Sequence, residues 1–71
     1  MMLLVMKHNK FRAYLVEHEI NQEEVAKVLD ISRTAFVYKL NGRIRFSIDD
    51  INKLQKAYKL TDKQVKQFFL E

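Results

Sequence analysis

The side chains best suited to binding chemistry are four cations in one short stretch, residues 31–48, which contains no acidic residue. They are Arg33, Lys39, Arg43 and Arg45. The flanking stretches are nearly neutral, with four basic and five acidic residues in 1–30 and five basic and four acidic residues in 49–71. The formal net charge of +4 therefore arises in the centre of the chain. Such a local positive field attracts a polyanion, although composition by itself favours a solvated basic loop.

Other kinds of chemistry have little support in the sequence. Cysteine is absent, and the two histidines, His8 and His18, are too few for a metal site without partners at ligand spacing. We interpret both histidines as surface residues of a first helix. No nucleophile–base pair, paired carboxylates or phosphate-binding glycine loop can be recognised. We therefore expect a protein that is not an enzyme and that needs no metal and no cofactor.

The length of the chain predicts a single domain, 1–71, of marginal stability, because so small a domain buries only about 60% of its surface. Proline is absent and glycine occurs once, at Gly42, which favours helices joined by short turns. The apolar segment Met1–Met6 is too short to span a bilayer and lacks the features of a signal peptide. We predict a cytoplasmic protein with no membrane partner, in which Met1–Met6 is a flexible extension, a strand or a further turn of the first helix.

Caps and apolar spacing predict an all-α fold of five helices. The first three helices are expected at residues 7–18, Gln22–Leu29 and Arg33–Leu40. Asn21 with Glu24 is a capping-box pattern before the second helix, and Ser32 caps the third. The residues predicted to face the core from these helices are Phe11, Leu15, Val25, Ala26, Leu29, Phe36 and Leu40.

The second half of the chain carries the same signals. Asn41-Gly42 ends the third helix. Ser47 caps a fourth helix, whose first turn contains Asp49 and Asp50, where the helix dipole favours negative charge. Thr61 begins a fifth helix in a capping-box pattern. The buried stripe of the fourth helix is predicted to consist of Ile48, Ile51, Leu54 and either Ala57 or Tyr58.

The second and third helices carry the pattern that points most directly to a function. They are separated by the turn Asp30-Ile31-Ser32, in which Asp30 is expected to adopt the left-handed conformation. Ala26 is small where two helices would cross closely, and Ile31 is an apolar residue within a turn, as expected of a turn that plugs the core. These features predict a helix-turn-helix whose third helix protrudes far enough to enter a DNA major groove.

The protruding face of the third helix lacks acids and offers groups that recognise base edges. The predicted base contacts are Arg33, Thr34, Val37 and Tyr38. Tyr38 has an alternative role, since its ring could pack against Phe46 or its hydroxyl could bind a phosphate. The predicted phosphate contacts are Gln22, Ser32, Lys39, Asn41, Arg43, Arg45 and Arg12. Residues 43–46, which alternate basic and apolar types, form either a short strand or an extended loop.

The stretch NQEEVAKVLDISRTAFVYKLNGR, residues 21–43, resembles the Xre/Cro helix-turn-helix family of phage repressors and their chromosomal relatives. The residues that carry the resemblance are Gln22, Ala26, Ile31, Ser32, Phe36, Asn41 and Gly42. The resemblance covers residues 7–69 and implies a lambda-repressor-like domain of five helices, with helices two and three as the DNA-binding unit. One departure is Asp30, which stands at a position usually held by glycine.

The resemblance implies a sequence-specific transcriptional regulator, a Cro-like phage repressor that binds double-stranded DNA at a pseudo-palindromic operator as a homodimer. Such a protein would be found at the nucleoid. The competing hypothesis is a modulator, antirepressor or antitoxin-like protein that acts through a protein partner such as a repressor. Phe68, Phe69 and Leu70 are the candidate dimer or partner surface. Because consecutive helical residues cannot all face the core, one or two of them complete the core, and the remainder form that surface or are simply partly buried. Met1–Met6 is a second candidate for that surface.

Overall fold

The computed structural model describes residues 8–70, and the segment Met1–Met6, for which the sequence left three alternatives, lies outside them. Within residues 8–70 the chain forms five α-helices and no strand. They are α1 (Asn9–Glu17), α2 (Gln22–Leu29), α3 (Arg33–Leu40), α4 (Ile48–Tyr58) and α5 (Asp62–Val65), and α5 continues as a π-helical segment, Lys66–Leu70. The prediction of an all-α fold with five helices is confirmed.

Three connections between helices end in the same unit of a left-handed residue, an apolar residue and an N-cap. The left-handed residues are Glu19 (φ 56°), Asp30 (φ 59°) and Lys59 (φ 52°). The apolar residues are Ile20, Ile31 and Leu60, each of which donates its backbone N–H to the carbonyl five residues earlier. This Schellman arrangement satisfies a carbonyl at the helix end and brings the apolar side chain onto the core. One local solution thus joins α1 to α2, α2 to α3 and α4 to α5.

Side-chain caps begin four of the helices. The cap residues are Asn21, Ser32, Ser47 and Thr61, as predicted, and each accepts a hydrogen bond of 2.8–3.1 Å from the N–H three residues later. At Ser47 and Thr61 the bond is reciprocated, because the side chains of Asp50 and Gln64 accept from the cap N–H. The capping box predicted for Asn21 is wrong in one half, since the Glu24 carboxylate returns no such bond.

The core is centred on the fully buried ring of Phe11 on α1. Its centroid lies 6.5 Å from that of Phe36, 5.6 Å from that of Phe68 and 4.9 Å from that of Phe69. The other buried apolar residues are Leu15, Val25, Ala26, Leu29, Leu40, Leu54 and Leu60. Every residue that the sequence assigned to the inner faces of the first three helices is therefore buried.

The buried stripe of α4 differs from the prediction at its first residue. Ile48 is 78% exposed, and the inward position in this turn is taken by Asp50, which is 8% exposed. Leu54 is fully buried, and Tyr58 packs against the core, while Ala57 is exposed. The predicted place of Ile48 in the buried stripe is therefore wrong, since in the first turn of α4 the inward-facing side chain is the carboxylate of Asp50, which is paired with Lys39.

His8 is a second correction, because it is half-buried rather than a surface residue. It precedes α1 in the N-cap position, with φ 54°, so the helix begins at Asn9 and not at residue 7. Its Nδ1 lies 3.0 Å from the carbonyl oxygen of Phe68, and its ring meets the Phe46 ring edge-on at 4.8 Å. Since a carbonyl oxygen only accepts, Nδ1 carries the proton. His18 is exposed, as predicted, and its ring lies 4.3 Å from that of Tyr14.

The end of the described chain divides its three apolar residues between core and surface. Phe68 is buried, Phe69 is half-buried and Leu70 is 68% exposed. The π-helical turn is wider than an α-helical turn, so consecutive side chains diverge less around the axis. Both phenylalanine rings consequently reach Phe11, and the expectation that not all three residues face the core is confirmed. The candidacy of Phe68 for a partner surface is wrong, because its side chain belongs to the core.

Replacing Lys59 by Gly is expected to raise the free energy of unfolding by about 0.5–1 kcal/mol. Glycine avoids the steric cost of the left-handed conformation, about 1–2 kcal/mol. This gain is reduced by about 0.5–1 kcal/mol, because glycine has more conformational freedom in the unfolded chain. The control Lys56→Gly makes the same chemical change inside α4 and should lower stability by about 1 kcal/mol. Urea unfolding measures both variants, and a loss of stability at both positions would contradict strain at Lys59.

Candidate nucleic-acid interface

The scaffold of the predicted interface is the pair α2 and α3, of eight residues each, which pack together across the turn 30–32. Ala26 is 3% exposed, and Ile31 packs against the core beneath the turn. Asp30 adopts the left-handed conformation (φ 59°, ψ 43°), as expected from the sequence. Two other connections have the same design, so this turn by itself does not distinguish α2 and α3 from the rest of the fold. Any distinction must come from the surface of α3.

The first turn of α3 presents Arg33 and Thr34 to solvent. Ser32, which precedes them, accepts a bond from the N–H of Ala35 at 3.1 Å, and its hydroxyl proton is still able to donate. Val37, predicted to lie on the exposed face, is half-buried and offers less surface than expected. The helix thus exposes one guanidinium and one hydroxyl with a methyl group at the end that points towards bases in a helix-turn-helix.

One turn further along α3, Tyr38 is 39% exposed and is covered by Arg43. The guanidinium carbon of Arg43 lies 5.3 Å from the centroid of the Tyr38 ring, a distance suited to a cation–π interaction. The alternative in which this ring packs against Phe46 is therefore replaced by a stack with Arg43. The contact holds one of the basic side chains beside the exposed face of α3.

A surface cleft of about 520 Å³ lies where the second half of α1 meets the beginnings of α2 and α3. Three residues predicted to contact DNA line it together, namely Arg12, Gln22 and Arg33. The unpaired N–H groups and the dipole of the first turn of α2 add positive potential. Glu23 is the acidic residue among those lining the cleft. The cleft therefore combines two guanidinium groups with a helix N-terminus, an arrangement suited to an anion.

Arg12 is tied to the far end of α3. Its Nη2 donates to Oδ1 of Asn41 at 2.7 Å, so two predicted phosphate contacts from distant parts of the chain lie side by side. Arg12 belongs to α1 and Asn41 follows the last residue of α3. This bond orients the guanidinium towards the surface that α3 exposes.

The connection from α3 to α4, residues 41–47, is a loop that begins with a turn and a bend, so the alternative of a strand at 43–46 is wrong. Gly42 has φ 82°, which allows the chain to leave α3 sharply. The backbone N–H groups of Arg43 and Ile44 both donate to the carbonyl oxygen of Tyr38, at 2.9 and 3.3 Å. The loop exposes the side chains of Arg43 and Arg45 to solvent.

Lys39, predicted to bind phosphate, is directed inward to an ion pair. Its Nζ lies 2.6 Å from Oδ2 of Asp50, and both side chains are only 12% exposed. The same Nζ donates to the carbonyl oxygen of Arg45 at 3.2 Å, and the same Oδ2 accepts from the N–H of Ser47 at 3.0 Å. The pair thus joins the last turn of α3, the end of the loop and the first turn of α4.

The ionisation of Asp50 follows from these contacts. Burial raises the pKa of its carboxyl, but hydrogen bonds from Lys39 and Ser47, with the positive charge of Lys39, outweigh burial and bring the pKa below its ordinary value of 3.8. Sequence reasoning assigned Asp50 to the helix dipole and missed its partner. The signal that could have found the partner is the Ser47-x-x-Asp50 spacing, since a capping box turns the carboxylate back towards the preceding loop.

Among residues 8–70, no group of three or more potential ligand side chains is placed to hold a metal ion. No helix in that range combines the length and apolarity needed to cross a bilayer. No protein-family model matches the chain, and no curated protein or solved structure is significantly similar to it. What the site does must therefore be inferred from its own geometry and charge.

Replacing Asp50 by Asn is expected to lower the free energy of unfolding near pH 7 by about 1–3 kcal/mol, because a largely buried ammonium loses its partner. The matched variant Asp49→Asn breaks an exposed pair with Lys53, at 3.3 Å, and should cost at most about 0.5 kcal/mol.

The stability difference between the wild type and Asp50→Asn is expected to depend on pH. The folded-state pKa of Asp50 is depressed, so its contribution to stability is present above about pH 3.8 and is lost as the pH falls through the folded-state value. Urea unfolding of the wild type and of Asp50→Asn, from pH 7 into the acid range, should show that the difference between their free energies of unfolding becomes smaller as the pH falls. A gap that stays constant down to the lowest pH would contradict the ion pair.

Proposed function

We propose that this protein is a sequence-specific regulator of transcription that binds double-stranded DNA through a helix-turn-helix formed by α2 and α3. The observation that carries the proposal is the surface around α3. Arg33 and Thr34 are exposed in its first turn, and the stretch 31–48 contains four cations and no acid. Three of these cations, Arg33, Arg43 and Arg45, are exposed, whereas Lys39 is paired with Asp50. A surface with such a local excess of cations attracts a polyanion.

The exposed face of α3 suits the major groove. An α-helix with its side chains is about 10–12 Å across, and the major groove of B-DNA, about 12 Å wide, admits it. Arg33 would donate two bonds to a guanine edge, and the Thr34 methyl group would contact a thymine methyl group. One turn further along α3, Tyr38 and the small exposed part of Val37 would make additional contacts with bases.

Phosphate binding would come from both sides of α3. The proposed contacts are Arg12, Gln22, Ser32, Asn41, Arg43 and Arg45. On one side, Gln22 and Arg12 line the cleft of about 520 Å³ at the beginning of α2, where helix N–H groups favour an anion. On the other side, the exposed guanidinium groups of Arg43 and Arg45 follow α3 directly. These contacts would set affinity and register, while sequence preference would come from α3.

We further propose that the protein acts at the nucleoid as a homodimer on a pseudo-palindromic operator, where it blocks access of RNA polymerase. Two recognition helices about one turn of DNA apart would double the number of bases read and of phosphates neutralised. The resemblance of residues 21–43 to Cro-like phage repressors supports this role.

An exposed apolar cleft is compatible with a second candidate function, in which the protein acts through a protein partner. Ile44 and Leu70, which are 42% and 68% exposed, line one cleft of about 600 Å³ together with half-buried Ile51 and Phe69. Exposed apolar surface of this kind is typical of protein contacts. It suits a second copy, as the first function requires, or a different protein, as an antirepressor, modulator or antitoxin-like role requires. Of the predicted partner surface, Leu70 is the most exposed part.

Arg33→Ala is expected to weaken binding to a selected operator by about tenfold to a hundredfold, while unrelated duplexes bind as before, because one bidentate base contact is lost. Arg45→Ala should instead weaken all duplexes alike and lower the salt slope by about one. Fluorescence anisotropy over a salt series separates the two patterns. Uniform weakening by Arg33→Ala would show that Arg33 binds phosphate and does not read bases.

The double variant Ile44→Ser/Leu70→Ser is expected to shift a wild-type dimer to monomer without loss of helicity, because the exposed apolar surface of the cleft is removed. Val16→Ser is the matched control, since Val16 is 79% exposed and lies at the other cleft. Sedimentation equilibrium with and without operator gives the stoichiometry. A wild-type protein that stays monomeric even on DNA would contradict the homodimer and favour a different partner.

A further inference from the structure

The loop between α3 and α4 has little secondary structure to hold it, yet it presents two of the proposed phosphate contacts, Arg43 and Arg45. At its beginning, the loop is held by two backbone bonds to the Tyr38 carbonyl and by the stack of Arg43 on the Tyr38 ring. At its end, the Phe46 ring packs against the rings of His8 and Phe69, at 4.8 and 5.0 Å. The backbone of the residues on either side of Phe46 is held by one ion pair, which bonds to the carbonyl oxygen of Arg45 and to the N–H of Ser47.

The ion pair between Lys39 and Asp50 reaches each of the last three loop residues. Lys39 Nζ donates to the Arg45 carbonyl oxygen at 3.2 Å and lies 5.9 Å from the centroid of the Phe46 ring. Asp50 Oδ2 accepts from the N–H of Ser47 at 3.0 Å. With a distance of 2.6 Å between the charged atoms and 12% exposure on each side, the pair is well shielded from solvent.

We infer that Lys39 and Asp50 are positioning residues, which order the basic loop for DNA and contribute to affinity without contacting it. This inference depends on the proposed function. A loop that is already ordered does not lose its conformational freedom on binding, whereas a freed loop must be immobilised at a cost in affinity. Lys39 would then act through the backbone of Arg45, and not as the phosphate contact that its position in the sequence suggests.

Asp50→Asn distinguishes positioning from simple electrostatics, because the two predict opposite changes in DNA affinity. Asp50→Asn removes a negative charge from a protein that binds a polyanion, so electrostatics alone predicts tighter binding. Positioning predicts the opposite, about three- to tenfold weaker binding, because the end of the loop is released. Asp49→Asn makes the same charge change one residue away on an exposed carboxylate and should bind as tightly as wild type or more tightly.

A double-mutant cycle separates positioning from direct contact. If Lys39 acts only through Asp50, Lys39→Met will weaken binding in the wild type but will have little further effect in the Asp50→Asn background. If Lys39 binds phosphate, its effect will persist in that background and the salt slope will fall by about one.

The experiment is anisotropy of a labelled operator, selected beforehand with the wild-type protein, titrated with the full-length variants after their amide spectra show that they are folded. Weaker binding by Asp50→Asn, with non-additive Lys39→Met, is the expected result. Equal or tighter binding by Asp50→Asn would overturn the inference while leaving the proposed function standing. Failure of the wild-type protein to bind any duplex would instead remove the proposed function.

A measurement on the wild-type protein covers the case in which Asp50→Asn fails to fold. The Lys39 ammonium and the Asp50 carboxyl carbon are observed by NMR with and without operator. Signals that keep their positions on DNA binding are expected of a retained pair. A loss of the pairing on DNA binding would show that Lys39 moves to the phosphate and would overturn the inference.

Discussion

The positions of Gln22, Arg33 and Thr34 depend on turns in which a residue other than glycine adopts the left-handed conformation. At Asp30 this conformation reverses the chain so that the Ile31 N–H reaches the Ala26 carbonyl at 3.0 Å and the Ile31 side chain packs against the core. Ser32 then caps α3, and Arg33 comes to the surface in the first exposed turn. The packing of the partly buried Ile31 side chain and the hydrogen bond to the helix-end carbonyl offset the steric cost of the left-handed residue. Two further turns of the same design join α1 to α2 and α4 to α5.

The four cations of the central stretch have different environments. Lys39 is turned inward against Asp50, whereas Arg33, Arg43 and Arg45 are exposed. A largely buried ion pair contributes little net stability compared with apolar packing, but its geometry is strict because either charge alone would be costly. Such a pair suits a place where a loop must keep one conformation. Lys39 bonds to the backbone of Arg45, whereas Arg33, Arg43 and Arg45 expose the guanidinium groups of the proposed interface.

The sequence predicts most of the scaffold and less of the site, for physical reasons. Caps such as Ser47 and Thr61 and inner residues such as Leu15 and Leu54 are set by local bonding and by helical period, which can be recognised in the sequence. Tertiary contacts cannot be recognised in that way. The pairing of Lys39 with Asp50 joins different helices, and half-buried His8 contacts Phe46 and Phe68 from other parts of the chain. Glu19 and Lys59 also adopt the left-handed conformation, and the sequence does not indicate this because neither position is a glycine.

Selection from a random duplex library with the purified protein would show whether the surface of α3 reads a DNA sequence. We expect enrichment of a pseudo-palindrome with half-sites about 10 base pairs apart, bound with an affinity that persists at physiological salt. Binding of all duplexes alike, which disappears as salt is raised to that level, would instead show charge attraction without sequence recognition.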